Sequence, residues 1–130
     1  DISDAAKIER VVVCSGKVFY DLVSAREDSK AEDVAIVRLE QFYPFPGEAL
    51  KEIFGRYANA KELVWCQEEP KNMGGWNFSA YRLNEIAKDM ISEPKYVGRV
   101  RSASPATGNY IVHELEQKKL VSEALGIEGE

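Results

Sequence analysis

The chain has 130 residues, 45% of them hydrophobic and 30% charged, with a net charge of -5. That length suits one compact domain burying about two-thirds of its unfolded surface, so neither a disulfide nor a metal is needed for folding. Charges of both signs are scattered through the chain, which excludes a nucleic-acid surface and an anionic-membrane patch and leaves proteins or small molecules as partners. Residues 1–9 read as a loose leading segment. Arg10 to Ser15 is a continuous β-branched run and predicts a strand, Gly16 a tight turn, and the helical spacing of Val18, Leu22 and Ala25 a helix. The unit repeats with a strand from Val34 to Leu39, then Pro44 and Pro46 opening a helix that carries Leu50, Ile53 and Phe54 on one face. A third strand is expected from Leu63 to Gln67, leaving the sheet at Glu68, Glu69 and Pro70. Its turn holds Asn72, Gly74 and Gly75, and the helix that follows presents Tyr81, Asn84 or Ile86, and Met90. The last strand runs from Lys95 to Arg99. Ser102, Ser104, Pro105 and Gly108 then lead into a helix bearing Val112, Leu115, Val121 and Leu125, with 126–130 as a frayed tail.

Near-continuous apolar strands joined by helical connections imply a mainly parallel sheet covered on both faces, a three-layer α/β/α sandwich over residues 10–125. All strands then end on one side. Ser15, Gly16 and Lys17, the stretch Glu40 to Tyr43, Gln67 to Glu69, and the residues from Arg99 should therefore share one rim, where function sits in open α/β sheets.

Several residues on that rim support two readings. Ser15, Gly16 and Lys17 suit an anion or effector site at a helix N-terminus, or a serine N-cap followed by a turn glycine. The full glycine-rich pattern of a nucleotide-binding loop is absent. Glu68 and Glu69 suggest acid/base work, but successive strand residues face opposite sides, so ion pairing with Arg38, Arg99 or Arg101 is the expected role. Trp76 is either an interface anchor or the first core residue of its helix. Phe42 and Tyr43, between Gln41 and Pro44, form a rigid aromatic turn that covers a partner or the core. His113 lacks any second histidine or Cys-x-x-Cys to work with. Cys14 and Cys66 lie inside apolar strands and read as reduced core thiols. No apolar stretch reaches the ~18 residues of a membrane span and no secretory signal opens the chain. From its first residue, Asp1, the chain is expected to be a piece of a longer protein.

Four blocks carry a family resemblance. Val13-Cys14-Ser15-Gly16-Lys17-Val18-Phe19-Tyr20-Asp21-Leu22, Asp33 through Pro46, Val64-Trp65-Cys66-Gln67-Glu68-Glu69-Pro70-Lys71-Asn72, and Gly98-Arg99 with Ser102 through Gly108 closely resemble the C-terminal domain of 2-oxoglutarate dehydrogenases, in order and over about Arg10 to Leu125. Met73, Gly75 and Arg101 stand where the family often has Gln, Ala and a small residue. The resemblance implies a fold similar to the third domain of transketolases, which supports dimerisation and closes over neighbouring domains. It implies that thiamine diphosphate and Mg²⁺ belong to the preceding domains of the parent, whose Gly-Asp-Gly motif is absent here, and that this chain alone holds no catalytic, cofactor or metal residues. Gln41, Phe42, Tyr43, Gln67, Glu68, Glu69, Trp76 and Arg99 are then the candidate interface rim, and Ser15, Gly16 and Lys17 the candidate effector site. The implied partners are the parent's other domains, its homodimer mate, and the dihydrolipoyl succinyltransferase and dihydrolipoyl dehydrogenase of the complex. The implied compartment is bacterial cytoplasm or mitochondrial matrix. The alternatives are a 2-oxoadipate homologue or a stand-alone anion-binding module.

Overall fold

A computed structural model describes residues 5–40, 45–57, 59–71, 73–87, 94–99 and 110–127. After a short 3-10 turn at Ala5–Lys7 come β1 (Arg10–Ser15), α1 (Val18–Ser29), β2 (Val34–Leu39), α2 (Gly47–Arg56), β3 (Glu62–Pro70), α3 (Trp76–Ala87), β4 (Lys95–Arg99) and α4 (Tyr110–Leu125). Among the described residues the strands form one sheet in the order β2-β1-β3-β4, with every pairing parallel.

The pleat divides the core in two. Val11, Val13, Leu63 and Trp65 face α2 and α3, whose Leu50, Phe54, Leu83 and Ala87 cover them. Val12, Cys14, Val64 and Cys66 face the other way, beneath Val18 and Leu22 of α1 and Leu120, Val121, Ala124 and Leu125 of α4. The sheet is thus buried on both sides, which is why its strands read as unbroken apolar runs. From β1 the chain steps one way to β2 under α1, then the other way to β3 and β4 under α2 and α3. Crossovers of one hand require this change of face when the direction reverses.

Four expectations change. β3 does not leave the sheet at Gln67 but continues to Pro70, with a register shift between Cys66 and Pro70, because β4 runs alongside and pairs Arg99 with Pro70. Tyr81 is 71% exposed and Leu115 63%, so neither lies on its helix's inner face. The inner face of α3 is Ser79, Leu83 and Ala87, whose small members let the helix sit close to the sheet. The packed body also starts before Arg10: Ile8 is fully buried, and the backbone of Glu9 bonds to Asp33 and Lys61. At the other end, Gly126 and Ile127 close α4 with N–H bonds to Glu123 and Ser122, the Schellman pattern, and Ile127 packs on the core. Pro44, Asn72, Met90 and the segment from Ser102 to Gly108 lie outside the described residues, as do the side chains of Val112 and His113. Among the described residues, no helix is long and apolar enough to cross a membrane.

Candidate functional site

β1 and β3 are neighbours whose exits diverge, β1 into α1 on one face and β3 into α3 on the other. Such a divergence opens a crevice at the carboxyl ends of the strands. One wall is Ser15, Gly16 and Lys17. Gly16 has φ +80, with nothing within 4 Å of where a Cβ would stand, so glycine serves the turn geometry there and not close packing. Ser15 ends its strand and does not cap α1: the cap position is Lys17, with no side-chain cap bond. Instead the backbone closes the turn, Phe19 N–H to Gly16 O and Tyr20 N–H to Lys17 O.

Across the crevice Lys17 Nζ donates to Glu68 Oε1 at 2.9 Å. The same oxygen accepts from Gln117 Nε2 at 3.1 Å, and that nitrogen also reaches Asp21 Oδ2 at 2.9 Å. By accepting this hydrogen bond and by its negative charge, the Glu68 carboxylate holds the Lys17 ammonium above its ordinary range. The lysine side chain is 78% exposed and Glu68 only 16%, so the carboxylate is the inner partner and the ammonium its solvent-facing cover. Arg38, an expected partner of the acidic pair, lies over Phe19 and Tyr20 at 5.5 and 5.2 Å from the ring centroids and donates to the Tyr20 hydroxyl. Arg99 closes β4 opposite Pro70, and Arg101 lies outside the described residues.

Gln67 forms the other wall. It is 1% exposed, and its amide organises the link from β3 to α3. Oε1 accepts from the Trp65 indole N–H at 2.8 Å and the Trp76 backbone N–H at 3.1 Å, while Nε2 donates to Glu69 O at 3.0 Å and Met73 O at 2.7 Å. A Cβ on Gly74, at φ +73, would lie 3.0 Å from both Gln67 Oε1 and Glu69 Oε1, so the loop needs glycine for conformation and for room. Glu69 thus lies toward the α3 side and Glu68 toward α1 and α4, on opposite faces as strand alternation requires. Trp76 is half-buried, tilted against Tyr96 with ring centroids 5.5 Å apart, and packs on the core face under α2 and α3.

Of the predicted rim, then, Ser15, Gly16, Lys17, Gln67, Glu68, Glu69 and Trp76 gather about the crevice, while Gln41, Phe42 and Tyr43 lie outside the described residues. Sequence reading missed Gln117, Asp21 and Gly98. Gln117 carries no local signal, being one amide in a charged helix. Gly98 does carry one, since glycine inside a strand marks a close backbone approach: its Cβ would lie 2.7 Å from Gln67 O.

The two thiols behind this wall are free and buried. Burial pushes the Cys14 thiol up to about 12 despite the nearby Arg38, and pushes Cys66 up as well, with Cys14 and Glu68 adding to the effect. Both are protonated at neutral pH and unsuited to nucleophilic attack. Among the described residues no group of three or more His, Cys, Asp or Glu is placed to hold a metal ion. The polar side chains at the ends of β1 and β3 are thus bonded to one another.

Known proteins are similar to the chain along nearly its whole length. Over 129 residues, 98% of this chain, it is 46% identical to the 2-oxoglutarate dehydrogenase E1 component of Azotobacter vinelandii, covering 14% of that protein. Against the E1 component of Cupriavidus necator it is 47% identical over 93% of the chain and 13% of the relative, and against that of Haemophilus influenzae 46% over 96% and 13%. The chain therefore spans about one-seventh of the length of these relatives. Residues 1–125 match the family described as 2-oxoglutarate dehydrogenase C-terminal, and with relatives this similar along nearly its whole length the chain belongs to that family.

Proposed function

We propose that this chain is the non-catalytic C-terminal domain of a 2-oxoglutarate dehydrogenase E1 component, contributing interdomain and dimer contacts through the rim at the ends of β1 and β3. The parent would decarboxylate 2-oxoglutarate oxidatively and pass the succinyl group to lipoyl carriers, in bacterial cytoplasm or the mitochondrial matrix. The observation that carries the reading is the closure of the switch-point crevice by Lys17, Glu68, Gln117 and Asp21. A site meant for a small substrate leaves its convergent polar groups facing the cavity. Here they face each other.

Thiamine diphosphate and Mg²⁺ do not fit the residues present. The chain contains no Gly-Asp-Gly, and the crevice carboxylate is engaged by Lys17 and Gln117. No step of cofactor chemistry is derived for this chain; the ylid and the carbanion sink belong to a cofactor held elsewhere in the parent. An effector anion at Ser15, Gly16 and Lys17 would have to draw Lys17 away from Glu68.

The test is an assay of the chain alone with 2-oxoglutarate, thiamine diphosphate, Mg²⁺ and an electron acceptor, beside the complete parent. No turnover from the chain is expected. Measurable decarboxylation by these 130 residues would overturn the assignment.

A further inference from the structure

The outer face of α3 carries an arginine that the crevice does not use. Phe78, Tyr81 and Arg82 follow one another at i, i+3 and i+4 and so form one patch, turned away from the inner face of Ser79, Leu83 and Ala87. Arg82 donates through Nη1 to Phe78 O of its own helix at 2.6 Å. Its guanidinium lies 3.9 Å from the centroid of the Phe78 ring and 5.9 Å from that of Phe45, the residue that leads into α2. The two half-buried rings stand 6.2 Å apart and make a platform, beside which Tyr81 is 71% exposed.

What Arg82 lacks is a counter-ion. Arg10 and Arg56 pair with Glu62 and Glu52, whereas no ion pair joins Arg82 to a carboxylate among the described residues, in a chain with 22 acidic residues against 17 basic ones. A guanidinium laid on rings and tied to a carbonyl has already lost much of its rotamer freedom, so a carboxylate arriving from outside is bound at a lower entropic cost. An arginine set among exposed aromatics is also the composition of an interface anchor.

We propose that the Phe45–Phe78–Arg82 platform, with Tyr81 beside it, is an intrachain docking surface on which an acidic segment of the parent's preceding domains is seated, its carboxylate on Arg82. The inference rests on the reading of this chain as one domain of a longer E1 component, and it adds a second contact surface to the rim. Length and charge choose the occupant. The chain covers 14% of the Azotobacter relative, so in a parent of that size about six-sevenths of the polypeptide lies outside this domain and is tethered to it. Tethering gives the parts of one chain effective concentrations on the order of mM, which favours them over any free protein of equal affinity. A cationic patch without its own counter-ion selects the acidic segment among them.

The test places the photo-cross-linker p-benzoylphenylalanine at position 81 of the complete parent, in dimers that pair a ¹⁵N-labelled chain with an unlabelled one. Mass spectrometry of the irradiated enzyme is expected to join residue 81 to an Asp- or Glu-bearing peptide from ahead of this domain, with both halves carrying the same isotope. Adding Arg82→Glu should lower the yield of that join about 10-fold or more, as loss of an anchor arginine does, and raise deuterium uptake in the joined peptide. Joins of mixed isotope would put the patch against the other subunit, which overturns the intrachain proposal and leaves the dimer-contact reading standing. No join beyond this domain, or a yield unchanged by Arg82→Glu, overturns it as well. Turnover by the chain alone is a separate measurement, so failure of the function reading is told apart from failure of this one. The isotope pattern is read without the Arg82 variant, so misfolding of that variant does not shield the idea.

Discussion

At Gln67 one amide answers two buried demands, the Trp65 indole N–H and the backbone of the loop from Glu69 to Trp76. Replacing it by leucine keeps the volume but removes the acceptor of the Trp65 indole and Trp76 backbone N–H groups and the donor to the Glu69 and Met73 carbonyls. We expect Gln67→Leu to lower stability by about 2–4 kcal/mol in a urea titration, since unsatisfied buried polar groups cost about 1–3 kcal/mol each. A loss under about 0.5 kcal/mol, the range of neutral surface changes, would show the amide to be dispensable. The opposite sign is expected at Lys30, which ends α1 at φ 57, with its N–H bonded to Arg26 O and Glu27 O. Glycine adopts that left-handed conformation without Cβ strain, so Lys30→Gly should raise stability by several tenths to about 1 kcal/mol, read as a higher melting temperature. The sequence marked Gln67 as the first polar residue after an apolar run, but not that it would be fully buried. Its neighbours Trp76 and Met73 come from across a turn, and only closure of that turn shows what the amide is for.

At the scale of elements, the junction of α4 with the sheet is set by Arg10. Its guanidinium donates to the last carbonyls of α4, Glu123 O and Ala124 O, and pairs with Glu62 at 2.8 Å. Gly126 stands at φ +74, and an added Cβ would come 3.0 Å from Arg10 Cζ, so the guanidinium would have to give way. Gly126→Ala should therefore lower stability by about 1–2 kcal/mol through strain and a displaced cap, measurable by chemical denaturation. Glu62 also accepts from Lys95, which with Arg10 holds its carboxyl below the ordinary 4.5. That contribution is present above the ordinary value and is lost as pH falls through the lowered one. The β1–β3 thiol pair acts at the alkaline end. With folded values raised far above the ordinary 9.0, both thiols stay protonated while the unfolded chain loses two protons, so stability must fall as pH rises past 9. The expected extra slope between pH 10 and 11 approaches about 2.7 kcal/mol per pH unit, from about 1.36 kcal/mol for each proton. The double variant Cys14→Ala with Cys66→Ala should flatten it, and an unchanged slope would refute the assignment.

For the whole molecule, the prediction concerns the crevice. In the complete parent enzyme, Glu68→Ala should alter dimerisation or thermal stability more than it alters the pH dependence of turnover. Analytical ultracentrifugation beside a pH–rate profile separates the two, and a steep loss of turnover with an unchanged melting curve would make Glu68 a catalytic group instead. Removing only the lysine should cost little: Lys17→Met is expected to change stability by under about 0.5 kcal/mol, because its side chain is mostly in water. Most of the architecture behind these predictions was legible in the chain. β1, β2 and β4 have the bounds their apolar runs predicted, and Val18, Leu22, Leu50 and Phe54 face the core as their spacing predicted. Burial on both faces makes a parallel strand apolar throughout, so it can be read without knowing its neighbours. Tyr81 and Leu115 were misplaced because helix phase depends on what the helix packs against, and a tyrosine or leucine suits either side.

The order of amino acids by itself determined a two-faced parallel sheet, its turns and the family, because these follow from local periodicity and from motifs that survive in linear order. Strand order, the extension of β3 to Pro70, the meeting of Lys17 with Glu68 and Gln117, and the pairing of Cys14 with Cys66 were decided only in three dimensions. The contacts of Lys17 with Glu68, of Gln117 with Glu68 and of Cys14 with Cys66 join residues 49 or more positions apart, and Pro70 meets Arg99 across 29, brought together by sheet register and by the docking of α4. No window along the chain contains both partners of such a contact.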